Sequence, residues 1–457
     1  MTRRIRKPGL ALAATVALAV TACAGQGGDT AADDADTDAD AAEEADTDDE
    51  ADSDDEGDSD PVTITWWHNS NNPPGRDVYE QAAADFMEAN PHVTIEITAQ
   101  EHEDMLTRLN AAFQSGDMPD IYMERGGGEL VAHVEAGLTR DITDDAAETI
   151  EMLGGVGSTY EVDGRAYALP FTAGAVGFWY NTDLFDEAGI AAEPETLDDW
   201  FAAVDALKAA DIEPVAVGAR DGWPAAHYWY YTALRLCPEE VLTEAVVSLD
   251  FSDPDPCFVR AGEALQEIID AEPFNAGFLA TPAQEGPTSA SGLLATERVA
   301  MELAGHWEPG VMEGLTEDGQ GLAGKLGWFP FPSIPEGEGE PGALIGGGDA
   351  WALSSDAPDE AVDFVEYLLS DEMQQTFAEN NMGLPVNPAA ADSLADPALA
   401  GLIEPLSAAP YNQLYFDTQF GESISGAMND KIVEMFAGDA TPEDIVDAIR
   451  EAYESEQ

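Results

Sequence analysis

From position 61 onward the apolar residues fall into two periods. Val62, Ile64 and Trp66 alternate with polar neighbours, a strand signature, and 69–75 follows as a turn-rich loop. Residues 77–90 put Val78, Ala82, Phe86 and Met87 on one helical face, closed by Pro91. Val93, Ile95 and Ile97 alternate again. Residues 102–114 gather Met105, Leu106, Leu109 and Phe113 on one side of a second helix, and 120–123 read as a third strand. This opening predicts β-α-β-α-β, a parallel sheet covered by helices. Further on, Thr196 with Asp199 caps a helix through Lys208. Residues 214–218, 298–303 and 350–353 read as strands, and 359–379 and 442–453 as helices. The whole region is expected to be α/β, without internal repeats.

Before position 61 the pattern changes. Arg3, Arg4, Arg6 and Lys7 precede an apolar stretch at 10–20 that is too short to span a bilayer. Val20-Thr21-Ala22-Cys23 follows and resembles the bacterial lipobox, in which the cysteine is diacylated and begins the mature chain. An ordinary secretory signal is the alternative. Residues 1–22 are therefore expected to be a lipoprotein signal peptide and Cys23 the lipid anchor. The protein would be exported and held on the outer face of the cytoplasmic membrane. Residues 29–60 contain only Ala, Asp, Glu, Thr, Ser and Gly, 18 of them acidic, so nothing there can be buried. Self-repulsion would extend 23–60 as an acidic, disordered tether.

Charge narrows the partners. The 457 residues carry 17 Lys plus Arg against 92 Asp plus Glu, a net −75. Beyond the tether 74 acidic and 13 basic residues remain, so the folded part is itself acidic. Such a chain repels nucleic acid, anionic membranes and anionic substrates. It suits a saline medium that screens its self-repulsion. Cys237 and Cys257 are expected to form a disulfide around a surface excursion flanked by Pro238, Pro254 and Pro256. Two free buried thiols are the alternative. The six histidines show no metal-ligand spacing, Gly-x-Ser-x-Gly and His-Glu-x-x-His are absent, and no cofactor or metal is expected.

Several segments carry a resemblance. They are Ser-Gly-Asp-Met-Pro-Asp-Ile-Tyr at 115–122, the run 168–189 with Pro170, Phe171, Tyr180, Asn181, Phe185 and Glu187, and 298–310, 346–353, 361–386 and 437–449. In this order and spacing they resemble extracellular solute-binding proteins family 1, the sugar-binding components of ABC importers. Trp179 stands where that signature more usually has an aliphatic residue, Phe or Tyr. The resemblance implies a two-lobed periplasmic-binding-protein-like fold of type II, with crossing hinge strands and a ligand cleft between the lobes. The N-lobe would be 61–171 plus 347–395 and the C-lobe 172–346 plus 396–457. It implies a monomer that captures a neutral di- or oligosaccharide and docks on permease subunits, touching the bilayer only through Cys23. Another small polar solute on the same fold, or a secreted glycoside hydrolase, are the alternatives.

Sugar rings stack on aromatic faces and their hydroxyls bond to carboxylates. In open α/β sheets the ligand crevice lies beyond the C-terminal strand ends. With Trp66 inward, Trp67, His68 and Asn69 are expected toward the cleft, with Asn69 as the ligand contact. Glu124 follows the third strand at the same edge. Trp223 and His227 open an aromatic-rich helix whose surplus rings suggest a cleft face. Trp307 matches the family's cleft tryptophan. Asp349 follows three glycines at 346–348, expected to let backbone approach the ligand. Tyr415 and Asp417 complete the set.

Overall fold

Trp66 organises the first layer. The computed structural model describes residues 60–248 and 250–456; Cys23, the signal segment and nearly all of the tether lie outside the described residues. Strand β1 (Val62–His68) pairs in parallel with β2 (Val93–Ala99) and β3 (Ile121–Glu124). Thr65 donates through its N–H and its hydroxyl to the Asp120 carboxylate, both at 2.7 Å, which pins the β1–β3 register. Trp66 is fully buried, and Tyr79, Trp351 and Phe364 meet it edge-on at 5.1–5.2 Å. The strand continues two residues past Trp66, so the two-residue period carries His68 into the same core, not to the cleft. Its ring packs on Trp66 and Tyr79, and burial pushes it down to about 3, leaving it neutral. Trp67 takes the opposite face, with the Arg108 guanidinium 3.8 Å over its ring.

The remaining strands are a hairpin of β4 (Glu161–Val162) and β5 (Arg165–Ala166), then β6 (Ala168–Pro170), β7 (Thr172–Ala175), β8 (Gly177–Asn181), β9 (Glu213–Ala216), β10 (Val299–Ala304), β11 (Leu326–Phe329), β12 (Leu344–Gly347), β13 (Ala350–Leu353), β14 (Leu384–Pro385) and β15 (Asn412–Gln413). The first sheet runs β2-β1-β3-β13-β6, and the second β11-β8-β10-β9. A small sheet, β14-β7-β12-β15, lies between them in the chain's path. Only Phe171 separates β6 from β7 and only Val176 separates β7 from β8, so the chain passes from the first sheet through the small one into the second. It returns from β12 to β13. One apolar core draws on 64–171 and 350–386, and another on 176–345 and 416–449. The protein is thus a two-lobed α/β molecule joined by crossing strands. None of the described helices is long and apolar enough to cross a membrane.

Backbone contact makes the crossing. A Cβ at Gly346 would lie 2.2 Å from the Gly174 carbonyl oxygen, and one at Gly348 would lie 1.6 Å from that of Thr172. These glycines let β12 approach β7, and that contact, not an approach to ligand, is what they serve. Tyr231 bridges the same strands: its hydroxyl donates to the Val176 carbonyl and accepts the Ile345 N–H at 3.2 Å.

The helix Trp223–Leu236 runs through the second lobe with every residue from Pro224 to Leu236 buried. Its aromatic surplus is therefore core: Tyr228, Trp229, Tyr230 and Tyr231 are all interior. Arg235 is buried without a carboxylate partner among the described residues. Its guanidinium donates to the carbonyls of Ala343 at 2.7 Å, Phe331 at 2.8 Å, Pro332 at 3.3 Å and Glu340 at 3.4 Å, holding the 331–343 loop that delivers β12. The expected long helix at 359–379 is two, Asp359–Leu368 and Asp371–Glu379, because the Ser370 side chain caps a new start by accepting the Met373 N–H. Thr196 and Asp199 form the reciprocal cap read from the sequence.

Cys237, at the end of the aromatic helix, is bonded to Cys257, the first residue of the helix Cys257–Asp270, with Cα atoms 5.2 Å apart. Both are fully buried, as is Phe251 in the loop they close, so the bond staples core helices and not a surface excursion. Replacing both cysteines with alanine is expected to lower stability by about 3 kcal/mol. Thermal unfolding under oxidising conditions checks this; an unchanged midpoint would mean the core holds these helices without the bond.

Candidate functional site

A cleft of about 500 Å3 opens between the lobes. Asn69, just past β1, lines it, with its amide nitrogen 3.1 Å from His102 Nδ1. Burial, reinforced by Arg125, pushes His102 down to about 3, so a neutral ring can accept from Asn69. Trp223 and His227 stand four residues apart on the first turns of the aromatic helix and share its cleft-facing stripe. Trp223 meets Trp307 edge-on, with centroids 6.0 Å apart and planes at 76°. His227 stacks on Tyr415 at 5.6 Å and 24°. Trp307 sits at the N-cap of the helix Glu308–Leu315. Trp307 Nε1, His227 Nδ1 and the Tyr415 hydroxyl have no hydrogen-bond partner among the described residues. Burial lowers His227 to about 3, so it too is neutral.

Of the eight residues proposed from the sequence to contact ligand, seven meet at this cleft: Asn69, Trp223, His227, Trp307, Asp349, Tyr415 and Asp417. Glu124 does not. It belongs to β3, is buried, and its carboxylate turns back to accept the N–H groups of Arg125 and Gly126, each at 2.9 Å, with His133 Nδ1 also at 2.9 Å. Its neighbour Arg125 takes the cleft position. Arg125 pairs with Glu129, four residues on, and lies 3.8 Å from Asp417 of the other lobe. Arg125 and Glu129 were missed; their i,i+4 charge pairing was the available signal.

Nine carboxyl side chains and one guanidinium line the cleft, which weighs against an anionic ligand. Burial, partly offset by Arg125, pushes Asp349 up to about 6 and Glu129 up to about 7. Glu103 rises to about 7 through burial and then the like charge of Asp221 across the cleft. The opposite end of the cleft is apolar, formed by Phe171, Val311, Leu315, Phe377 and Met382; of these the sequence marks only Phe171, as part of the 168–189 resemblance and not as a ligand contact. Behind Trp307, Glu302 of β10 and Glu308 are both buried beside Ser291. Neither has a Lys or Arg partner among the described residues, and burial, followed for Glu302 by the charge of Glu308, raises both above the usual carboxylate range.

The family model for bacterial extracellular solute-binding proteins matches residues 69–375. An uncharacterized ABC transporter extracellular-binding protein of Pyrococcus horikoshii, PH1039, is 24% identical over 262 residues, covering 56% of this chain and 58% of that protein. The multiple sugar-binding protein of Streptococcus mutans is 25% identical over 306 residues, covering 64% and 68%. A solved structure from work on xylan utilization by the bacterium Caldanaerobius polysaccharolyticus superposes with a TM-score of 0.78 at 23% identity, covering 85% of this chain and 99% of that one. That likeness establishes the two-lobed fold.

The carboxyl pair behind Trp307 gives stability a pH dependence. Because the folded state raises both groups, their contribution is complete below the ordinary value of 4.5 and is lost as pH climbs through the raised values. The thermal midpoint without ligand is expected to fall as pH rises from about 5 to about 8, and to fall less in Glu308→Gln. Equal slopes in the two proteins would locate the titration elsewhere.

Proposed function

This chain belongs to the bacterial extracellular solute-binding proteins, and from that premise we propose that it is the extracytoplasmic component of an ABC importer that captures a neutral di- or oligosaccharide. The observation that carries this reading is the near-perpendicular Trp223–Trp307 pair in an interlobe cleft, beside three polar tips without a partner among the described residues and a carboxyl-rich wall. The rings offer stacking faces for sugar C–H groups. The carboxylates accept hydroxyl donors, and the tips of Trp307, His227 and Tyr415 supply further bonds. The relative from Streptococcus mutans, a multiple sugar-binding protein, supports the same substrate class.

The mechanism is capture by closure. Asn69, Arg125 and Asp349 come from one lobe, and Trp223, His227, Trp307 and Asp417 from the other. A sugar gains all its contacts only when the lobes close, so it selects the closed form. That form would dock on the permease subunits. No catalytic step is assigned: neutral His227 and the carboxyls serve as fixed hydrogen-bonding groups. The protein acts as a monomer, tethered to the outer face of the membrane through Cys23 by way of the acidic segment.

A thermal-shift screen over neutral saccharides tests the reading. A ligand at 100 times its Kd adds about 2.7 kcal/mol, and stabilisation by at least one saccharide is expected. Trp307→Ala should weaken that ligand by about 2–4 kcal/mol while leaving the unliganded midpoint nearly unchanged. No shift with any saccharide, or release of reducing sugar from oligomers, would overturn the proposal.

Replacing the anchor is a separate test. Cys23→Ser should move the protein from the membrane fraction to the medium with ligand affinity intact. Retention in the membrane fraction would dismiss the lipid anchor.

A further inference from the structure

The two ends of the cleft differ in chemistry. At one end Phe171 and Phe377 meet edge-on, with centroids 6.2 Å apart. Val311 and Leu315, one turn apart on the helix Glu308–Leu315, face the same space. Gly310 brings that helix against the 381–382 backbone, since a Cβ there would lie 2.5 Å from the Asn381 carbonyl oxygen and 3.6 Å from Met382 Cα. Met382 thereby joins the apolar wall.

Two polar groups bordering this end are already committed, and a third stands at its rim. Thr172 Oγ1 lies 3.0 Å from His306 Nε2 and donates to the Leu384 carbonyl at 3.0 Å. His306 Nδ1 is sealed against Gly174, where a Cβ would lie 2.3 Å away. Ser70 flanks Met382 at the rim, the two side chains lying 3.1 and 3.4 Å from a Cβ placed on Gly75. A sugar hydroxyl set against these apolar side chains would give up its water bonds without finding a partner among them, whereas a methyl group would lose nothing.

We propose that the cleft selects saccharides bearing a methyl-terminated substituent, acylamino or deoxy, which the apolar corner receives while the carboxyl-lined end binds hydroxyls. This rests on the sugar-binding reading. Ser70 at the rim offers a partner to an acylamino group whose methyl lies inside.

Calorimetry on the full chain with two matched pairs tests it. One pair is the β-1,4 disaccharide of N-acetylglucosamine against that of glucose; the other is a 6-deoxyhexose disaccharide against its parent. The methyl-bearing member of at least one pair is expected to bind about tenfold or more tighter, and the pair that discriminates identifies the substituent. Leu315→Asn and Met382→Gln should each remove most of that preference, weakening the methyl-bearing sugar more than its parent. Equal affinities within both pairs, or a preference untouched in both folded variants, would overturn the inference and leave sugar binding standing. Failure of every saccharide in the wider screen would overturn both.

Discussion

A single stripe on one buried helix connects the cleft to the hinge. Trp223, His227, Tyr231 and Arg235 follow one another at intervals of four along Trp223–Leu236. On a helix of 3.6 residues per turn each step of four advances only about 40°, so each residue flanks the next and the stripe winds slowly from the cleft round to the hinge. The first two face the cleft. Tyr231 ties Val176 to Ile345 across the crossing strands, and Arg235 grips the carbonyls of the loop that feeds β12. Everything between the lobes is referenced to this stripe. The helix can hold it because the rest of its surface is packed aromatic and apolar core, leaving it little freedom to turn.

The hinge is defined as much by missing atoms as by contacts. Where β7 meets β12, Gly346 and Gly348 bring backbone against backbone, while Gly174 on the other strand leaves room for the His306 ring. Tyr231, stacked on Phe331 at 4.7 Å, and Arg235 then fix the approach from the second lobe, while Trp351 and Phe171, stacked at 4.4 Å, fix it from the first. Asp349 is delivered by the same crossing, which explains why a carboxyl group reaches the cleft floor from a strand that otherwise serves the first sheet.

Much of this was legible because it is local. The β-α-β-α-β opening and the Thr196–Asp199 cap are written in spacings of two, three and four residues. The cleft residues lie at strand ends or helix starts, where the general geometry of α/β sheets leads one to look. What escaped depends on distance or on one residue more of strand. His68 went inward because β1 continues past Trp66. Glu124 satisfies backbone N–H groups after β3 and so cedes the cleft to Arg125. The glycine run at 346–348 answers to Thr172 and Gly174, far earlier in the chain. The apolar corner gathers residues from 171, 311–315 and 377–382, and no periodicity within any one of these segments marks their meeting.

The Cys237–Cys257 bond makes the protein's own rigidity a property of place. In a reducing interior the thiols stay apart, and the loop with Phe251 is held only by its packing. In an oxidising compartment the bond closes the loop and deepens the native well. The same sequence is therefore easier to unfold where thiols are kept reduced and harder to unfold where they are oxidised, so that its rigidity follows the redox state of its surroundings.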